Sequence, residues 1–262
     1  MKIDLSEKNA VVCGSSKGIG KAIALQFAQC GANVTLIARN ESELINVLNH
    51  LPSSGNQKHN YIAADFNYPD VLKQKITEYI VNNPVTHILV NNTGGPKSGS
   101  IVSASVSEFE IAFRNHLICN QILVQAFCEE MKNQKFGRII NIISTSVKQP
   151  IKNLGVSNTI RAAVASWAKT LATELAPFGI TVNNILPGAT KTDRLFSLFE
   201  ANAASSGKSV EEIQYQWLNE IPAGRFAEAQ EIAFAACFLA SSFASYITGI
   251  NLPVDGGRLN SL

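Results

Sequence analysis

The sequence predicts an α/β chain: a doubly wound parallel sheet of seven strands with helices on both faces, folded as one domain over residues 1–262. Three observations lead there. Short runs rich in Val and Ile alternate along the chain with longer segments of helical period, as strands joined by crossover helices do. The runs are nearly continuous in hydrophobicity, which suits strands covered on both faces. No Pro/Ser-rich linker interrupts the alternation, and no repeat of fixed period divides it.

The first strand is read at residues 10–13, followed by a glycine-rich turn and a helix starting near Gly18. A second strand at 34–38 leads to a helix near Glu41, and a third at 61–64 to a helix near Asp70. The fourth strand, 87–91, precedes a long helix near Ser107, and the fifth, 138–143, precedes one near Ser157. The sixth strand is read at 181–185, a helix near Ala229 follows, and the seventh strand closes the chain at 249–254. Only residues 189–222 fall outside this rhythm. They read as one or two short helices inserted beside the carboxyl ends of the strands, the natural position of a substrate lid.

Composition narrows the function classes. Hydrophobic residues make up 46% of the 262 and charged residues 16%, a globular balance. With 22 basic and 20 acidic side chains the formal charge is +2, which gives no reason to expect a nucleic-acid partner or an anionic membrane surface. No apolar run approaches the roughly 20 residues that cross a bilayer. The first residues have no signal-peptide plan, so a cytoplasmic location is expected. The five cysteines, Cys13, Cys30, Cys119, Cys128 and Cys237, lack CxxC spacing and read as buried small hydrophobes rather than a disulfide framework. The four histidines show no metal-ligand spacing, and no metal is expected.

Between the first strand and first helix runs Cys13-Gly14-Ser15-Ser16-Lys17-Gly18-Ile19-Gly20. Glycines there allow a tight turn and let backbone N–H groups approach a diphosphate at the helix N-terminus. A plain strand-to-helix turn would use the same glycines, but at the first strand of an alternating chain the loop reads as a dinucleotide site. Which dinucleotide is decided at the end of the second strand, where an NAD site usually carries a carboxylate for the ribose 2′-hydroxyl. This chain has Arg39 there and no acid before Glu41. Arg39, with Lys17 as a second cation, suits a 2′-phosphate, so NADP(H) is favoured over NAD(H). The alternative is two solvated surface cations.

Here the residues resemble the short-chain dehydrogenase/reductase family over essentially the whole chain. The loop resembles TGxxxGIG with Cys13 in place of Thr. Ala64-Asp65 resembles the acidic position beside the adenine, and Asn91-Asn92-Thr93-Gly94 resembles NNAG. Asn115 and Ser144 resemble two members of the catalytic tetrad. Pro187-Gly188 with Thr192 resembles the nicotinamide-side PGxxxT, and Val254-Asp255-Gly256-Gly257 resembles VDGG. Within the family the chain is most similar to the 3-oxoacyl-(acyl-carrier-protein) reductases. The resemblance implies a Rossmann-like fold, a small-molecule or acyl-thioester substrate and a homotetramer. Its dimerising pair would be the helices at 107–131 and 157–176, with Ala162, Ala163, Ala165, Ala168 and Ala172 permitting close approach. Residues 247–262 would seal a second interface.

One departure lies at the centre of the chemistry. Where the family carries YxxxK this chain has Ser157-Asn158-Thr159-Ile160-Arg161, and the register resumes at Lys169, so it resembles a divergent SNxxR branch. A phenol with a pKa of about 10 is tuned towards neutrality by a nearby cation, whereas a Ser hydroxyl is far less acidic. Arg161 exchanges no proton, yet its donors can bind ribose hydroxyls. Ser157 reads equally as a proton donor and as a bystander. Asn115 is a water-holding amide or a buried helical polar group. Tyr215, in the insert, is the one tyrosine considered as a replacement acid. His116 reads as a packed or solvated helix residue, and Thr145, Ser146 and Lys148 as solvated loop in preference to pocket-lining residues. The leading function is an NADP(H)-dependent oxidoreductase reducing a carbonyl such as a 3-oxoacyl thioester. The alternatives are a dinucleotide-binding sensor or assembly subunit with little turnover, and a reductase whose substrate or an ordered water supplies the proton.

Overall fold

The computed structural model describes residues 2–53 and 56–261. Seven strands form one all-parallel sheet in the order β3-β2-β1-β4-β5-β6-β7, a Rossmann-like arrangement. They are β1 (Asn9–Cys13), β2 (Asn33–Ala38), β3 (Asn60–Ala63), β4 (Ile88–Asn91), β5 (Gly137–Ile142), β6 (Ile180–Pro187) and β7 (Asn251–Val254). Each of the seven expected strands is present, with no end shifted by more than two residues. The helices are α1 (Gly18–Gln29), α2 (Glu41–Asn49), α3 (Pro69–Asn82), α4 (Val106–Phe113), α5 (Cys119–Asn133), α6 (Gly155–Leu175), α7 (Asp193–Ser206), α8 (Val210–Asn219) and α9 (Ala229–Ala240).

Strand side chains alternate between two apolar layers, as the pleat requires. Val12, Leu36, Val90, Ile140 and Ile185 pack with α1, α2 and α9 through Phe27, Leu44 and Ile232. Val11, Ile37, Leu89, Ile139 and Val182 pack with α3, α5 and α6 through Ile76, Phe127 and Ala172. Helices therefore cover both faces, and the strands read as continuous apolar runs. Because β1 pairs with both β2 and β4, the crossovers diverge there. A cleft opens at the carboxyl ends of these strands, the usual ligand position in such sheets.

Two expectations are refined. The long helix expected over 107–131 is present as one continuous helical run, and a π turn at Arg114–Ile118 lies within it between α4 and α5. A π turn shifts the hydrogen-bond register by one residue and commonly marks functional sites, and this one carries Asn115 and His116. The alanines expected to approach a partner are divided. Ala165, Ala168 and Ala172 are buried in the chain's own core, whereas Ala162 is exposed. The segment 189–222 holds two helices, α7 and α8, around a small core of Leu195, Phe199, Ile213 and Ile221. Of residues 247–262, Leu262 lies outside the described residues.

Candidate functional site

From β1 the chain turns through Gly14, whose φ of +59° lies in the left-handed region. A Cβ there would sit 2.6 Å from Asn92 Nδ2 and 2.7 Å from Asn92 O. At Gly20 a Cβ would meet the Gly14 carbonyl oxygen at 2.2 Å. Loop, helix start and the segment after β4 close on one another, and Asn92 Nδ2 donates to Cys13 O and Gly14 O at 3.2 and 3.3 Å. Ser15 ties the loop to β2, its Oγ accepting from Ile37 N at 3.0 Å. Ser16 and Ile19 are half-buried beside it. Lys17 occupies the N-cap of α1 without a side-chain hydrogen bond, so the first N–H groups of the helix keep the polarity that suits a diphosphate. These are the features a dinucleotide requires, and the residues present fit one.

Arg39 emerges at the end of β2, exposed and free of any ion pair among the described residues. With Asn40, Glu41 and Asp65 it lines an open groove of about 800 Å³. Asp65 Oδ1 accepts from Asn67 N and Nδ2, both at 3.0 Å. The Lys17 ammonium instead lies 3.7 Å from Asp193 at the start of α7. Both side chains are largely exposed, so the pair is weak and Lys17 can be drawn to another anion. Thr192 packs on the glycine loop, its Cγ2 3.3 Å from where a Cβ on Gly18 would lie. Gly94 opens onto free space, with nothing within 4 Å of such an atom.

Pro187 ends β6. Beside it Gly188 is a position of close approach: its N–H donates to Val254 O at 2.9 Å, and a Cβ would lie 2.7 Å from Asp255 Cα. Asp255 in turn accepts from Gly257 N and Leu259 N. The C-terminal loop also reaches the insert, where Ala223 N donates to Gly256 O at 3.0 Å and Arg258 pairs with Glu220.

At the expected catalytic centre, Ser144 follows β5 and caps a 3₁₀ turn at Thr145–Val147, its Oγ accepting from Ser146 N at 3.1 Å. Thr145 and Ser146 are buried, contrary to their reading as solvated loop; the turn tucks under α6 and removes them from water. Lys148 just beyond is half-buried. Ser157 and Arg161 lie one turn apart on α6, both buried. No hydrogen bond joins Ser157 to Ser144 among the described residues. Arg161 Nη1 donates to Ile142 O at 2.8 Å, while its buried Nε has no partner. Burial first, and the Arg194 charge second, bring its pKa down to about 10.

Asn115 donates to Asn67 Oδ1 at 3.0 Å and leaves its own Oδ1 unpartnered. His116 is buried as a packed residue, and burial first, then the Arg161 charge, hold its pKa well below the usual imidazole range. The Gly94 backbone beside the ring acts in the opposite direction. Tyr215 is 67% exposed on α8 and points its phenol to solvent, which does not suit a buried acid. Among the described residues no cluster could hold a metal ion, and no helix is long and apolar enough to cross a membrane.

Two features escaped the sequence reading. Arg194, on the first turn of α7, donates to Pro96 O, across 98 positions of chain. Neighbouring strands also carry an asparagine ladder. Asn91 donates to Asn141, Asn141 to Asn184 and Asn184 to Asn251, each at 2.8 Å. The four amides bridge β4 to β7 beside the cleft, and the last acceptor, Asn91 Oδ1, is buried without a partner.

A family model described as Enoyl-(Acyl carrier protein) reductase matches residues 14–258, from the glycine loop to the C-terminal glycines. The chain belongs to the short-chain dehydrogenase/reductase family. Among relatives of this family, the 3-oxoacyl-[acyl-carrier-protein] reductase FabG of Staphylococcus epidermidis is 34% identical over 95% of this chain and 98% of that protein. The NADPH-dependent reductase BacG of Bacillus subtilis is 29% identical over 98% of this chain and 100% of its own. Among solved structures, L-sorbose reductase from Gluconobacter frateurii, complexed with NADPH and L-sorbose, superposes with a TM-score of 0.92 at 30% identity, each chain covered in full.

Proposed function

We propose that the protein is an NADP(H)-dependent reductase of the short-chain dehydrogenase/reductase type that acts slowly on ordinary 3-oxoacyl thioesters in the cytoplasm. The observation that carries the cofactor reading is the pairing of the glycine cradle with an unpaired Arg39 at the end of β2. NADPH relatives and an NADPH complex among the structural neighbours support it. The diphosphate would rest on Gly14, Ser16, Gly18, Ile19 and Gly20, and the 2′-phosphate on Arg39 and Lys17. Asp65, Asn92 and Gly94 would border the adenosine side, and Pro187, Gly188, Thr192 and Arg161 the nicotinamide side. Bound NADPH would supply a hydride to a carbonyl carbon.

The chain's own residues would do the rest. Ser144 Oγ, which accepts from Ser146 N, keeps its proton to donate to the substrate oxygen. Asn115, with its unpartnered Oδ1, would hold a water. The insert, residues 189–222, would act as a lid over a cavity of about 520 Å³ that Thr145 and Trp217 help to line. Ser157 is a weak acid, so a slow proton step is built into the site. That replacement also favours the second reading, a cofactor-binding sensor or assembly subunit with little turnover. In the homotetramer we propose, a partner copy would cover exposed Val106, Ile111 and Phe113 on α4, Ile118 in the π turn beside it and Tyr246 near the C-terminus.

Calorimetric titration tests the cofactor assignment: NADPH should bind more tightly than NADH, and Arg39→Ala should erase the difference. Equal affinities, unchanged in the variant, would overturn it.

A further inference from the structure

We propose that Arg161 and Arg194 form a receptor for a carboxylate on the substrate, seated at Gly95 between the two guanidiniums. The inference rests on the reductase reading and narrows its substrate class to oxo acids, a feature the acyl-thioester candidate lacks at this point.

The geometry at Gly95 carries it. A Cβ built there would lie 3.4 Å from Arg194 Nη2 and 3.6 Å from both Arg194 Nε and Arg161 Nη2, so the two cations face one small space. Arg161 is only 8% exposed. Its Nη1 is committed to Ile142 O, while its buried Nε has no partner. The edge left over is the Nε/Nη2 side, whose two parallel N–H groups match the oxygens of a planar carboxylate. The second proton on Nη2 remains for a cofactor hydroxyl.

Among the described residues no acid pairs with this charge. None of the ion pairs among the described residues includes Arg161 or Arg194, and Asp193, next in sequence, turns to Lys17 instead. His116 adjoins the pair, and the charges of Arg161 and Arg194 both act against its protonation. A nine-tenths-buried cation facing a second one is costly unless an anion completes the set. The cofactor's diphosphate is the other source of anionic oxygens. It has its own seat at the start of α1, whereas Arg161 is anchored at the end of β5, next to Ser144.

The test titrates 2-oxohexanoate, 4-oxohexanoate, 5-oxohexanoate and their methyl esters into the free protein and the NADPH complex by calorimetry. At least one acid should bind about 10–100-fold more tightly than its ester, as expected for charge-assisted bonds. The preference should persist with NADPH bound, vanish in Arg194→Ala and survive in part in Arg194→Lys. Arg194 lies on an exposed first turn, so the variants should fold; a thermal melt checks this. Esters that bind as well as acids, or no binding by either, would overturn the proposal. Acid binding abolished by NADPH would assign the site to the diphosphate and overturn it too. Failure of NADPH itself to bind would overturn the reductase reading alone, because the titration of the free protein still reads the anion site.

Discussion

Replacing Asn141 by Ala cuts the amide ladder at its middle. Asn141 accepts from Asn91 Nδ2 and donates to Asn184 Oδ1, both at 2.8 Å, and all three side chains are at most 3% exposed. The variant strands one buried donor and one buried acceptor, and each lost partner costs about 1–3 kcal/mol, giving roughly 2–6 kcal/mol in total. The ladder's last member, Asn251, is only half-buried on edge strand β7. Asn251→Ala strands a single donor, Asn184 Nδ2, for about half that loss. At roughly 2–4 °C per kcal/mol for a chain approaching this size, Asn141→Ala should melt at least about 4 °C below wild type and about twice as far below it as Asn251→Ala. Urea unfolding of the three proteins, compared at one slope, measures the difference. Equal losses in the two variants would show that the ladder is no cooperative support for the central strands.

His116 should make the protein acid-sensitive. Its pKa in the folded state is depressed, so below about pH 6.5 the unfolded chain takes up a proton that the folded one refuses, and stability falls with pH by up to about 1.4 kcal/mol per unit. His116→Gln should flatten the stability difference between pH 7.5 and 5.5, and parallel curves for the two proteins would contradict this. Light scattering should give a species larger than 28.2 kDa, and Phe113→Glu, on the exposed end of α4, should reduce its size. A monomeric wild type would remove the tetramer.

The parts of this fold that depend on local pattern were legible in the sequence. Apolar runs such as those at β1 and β4 alternate with amphipathic stretches, and the glycine loop follows the first strand. The π turn at Arg114–Ile118 was not, because a one-residue change of hydrogen-bond register leaves no mark on an otherwise helical pattern. The asparagine ladder depends on the pairing Asn91–Asn141–Asn184–Asn251, which exists only once strands are in register. Arg194 could not be linked to Arg161 from spacing, since the two come together only around Gly95, in the segment after β4. Ala165, Ala168 and Ala172 of α6 pack in the chain's own core, a use that the spacing of small residues does not distinguish from contact with a partner. Ser157 and Arg161 were visible, and their burial gives the substitution a physical consequence: the cation stays in place while the acid weakens.

Single-turnover NADPH oxidation with a 3-oxoacyl substrate tests that consequence most directly. Wild type should react slowly, Ser157→Ala should change its rate by a few-fold at most, and Ser157→Tyr with Arg161→Lys should raise it by up to ~10²–10⁴, the range of general acid catalysis. A structure of the double variant would check that the phenol fits beside Ser144. A wild type that is already fast and is abolished by Ser157→Ala would establish Ser157 as the working acid and contradict the account.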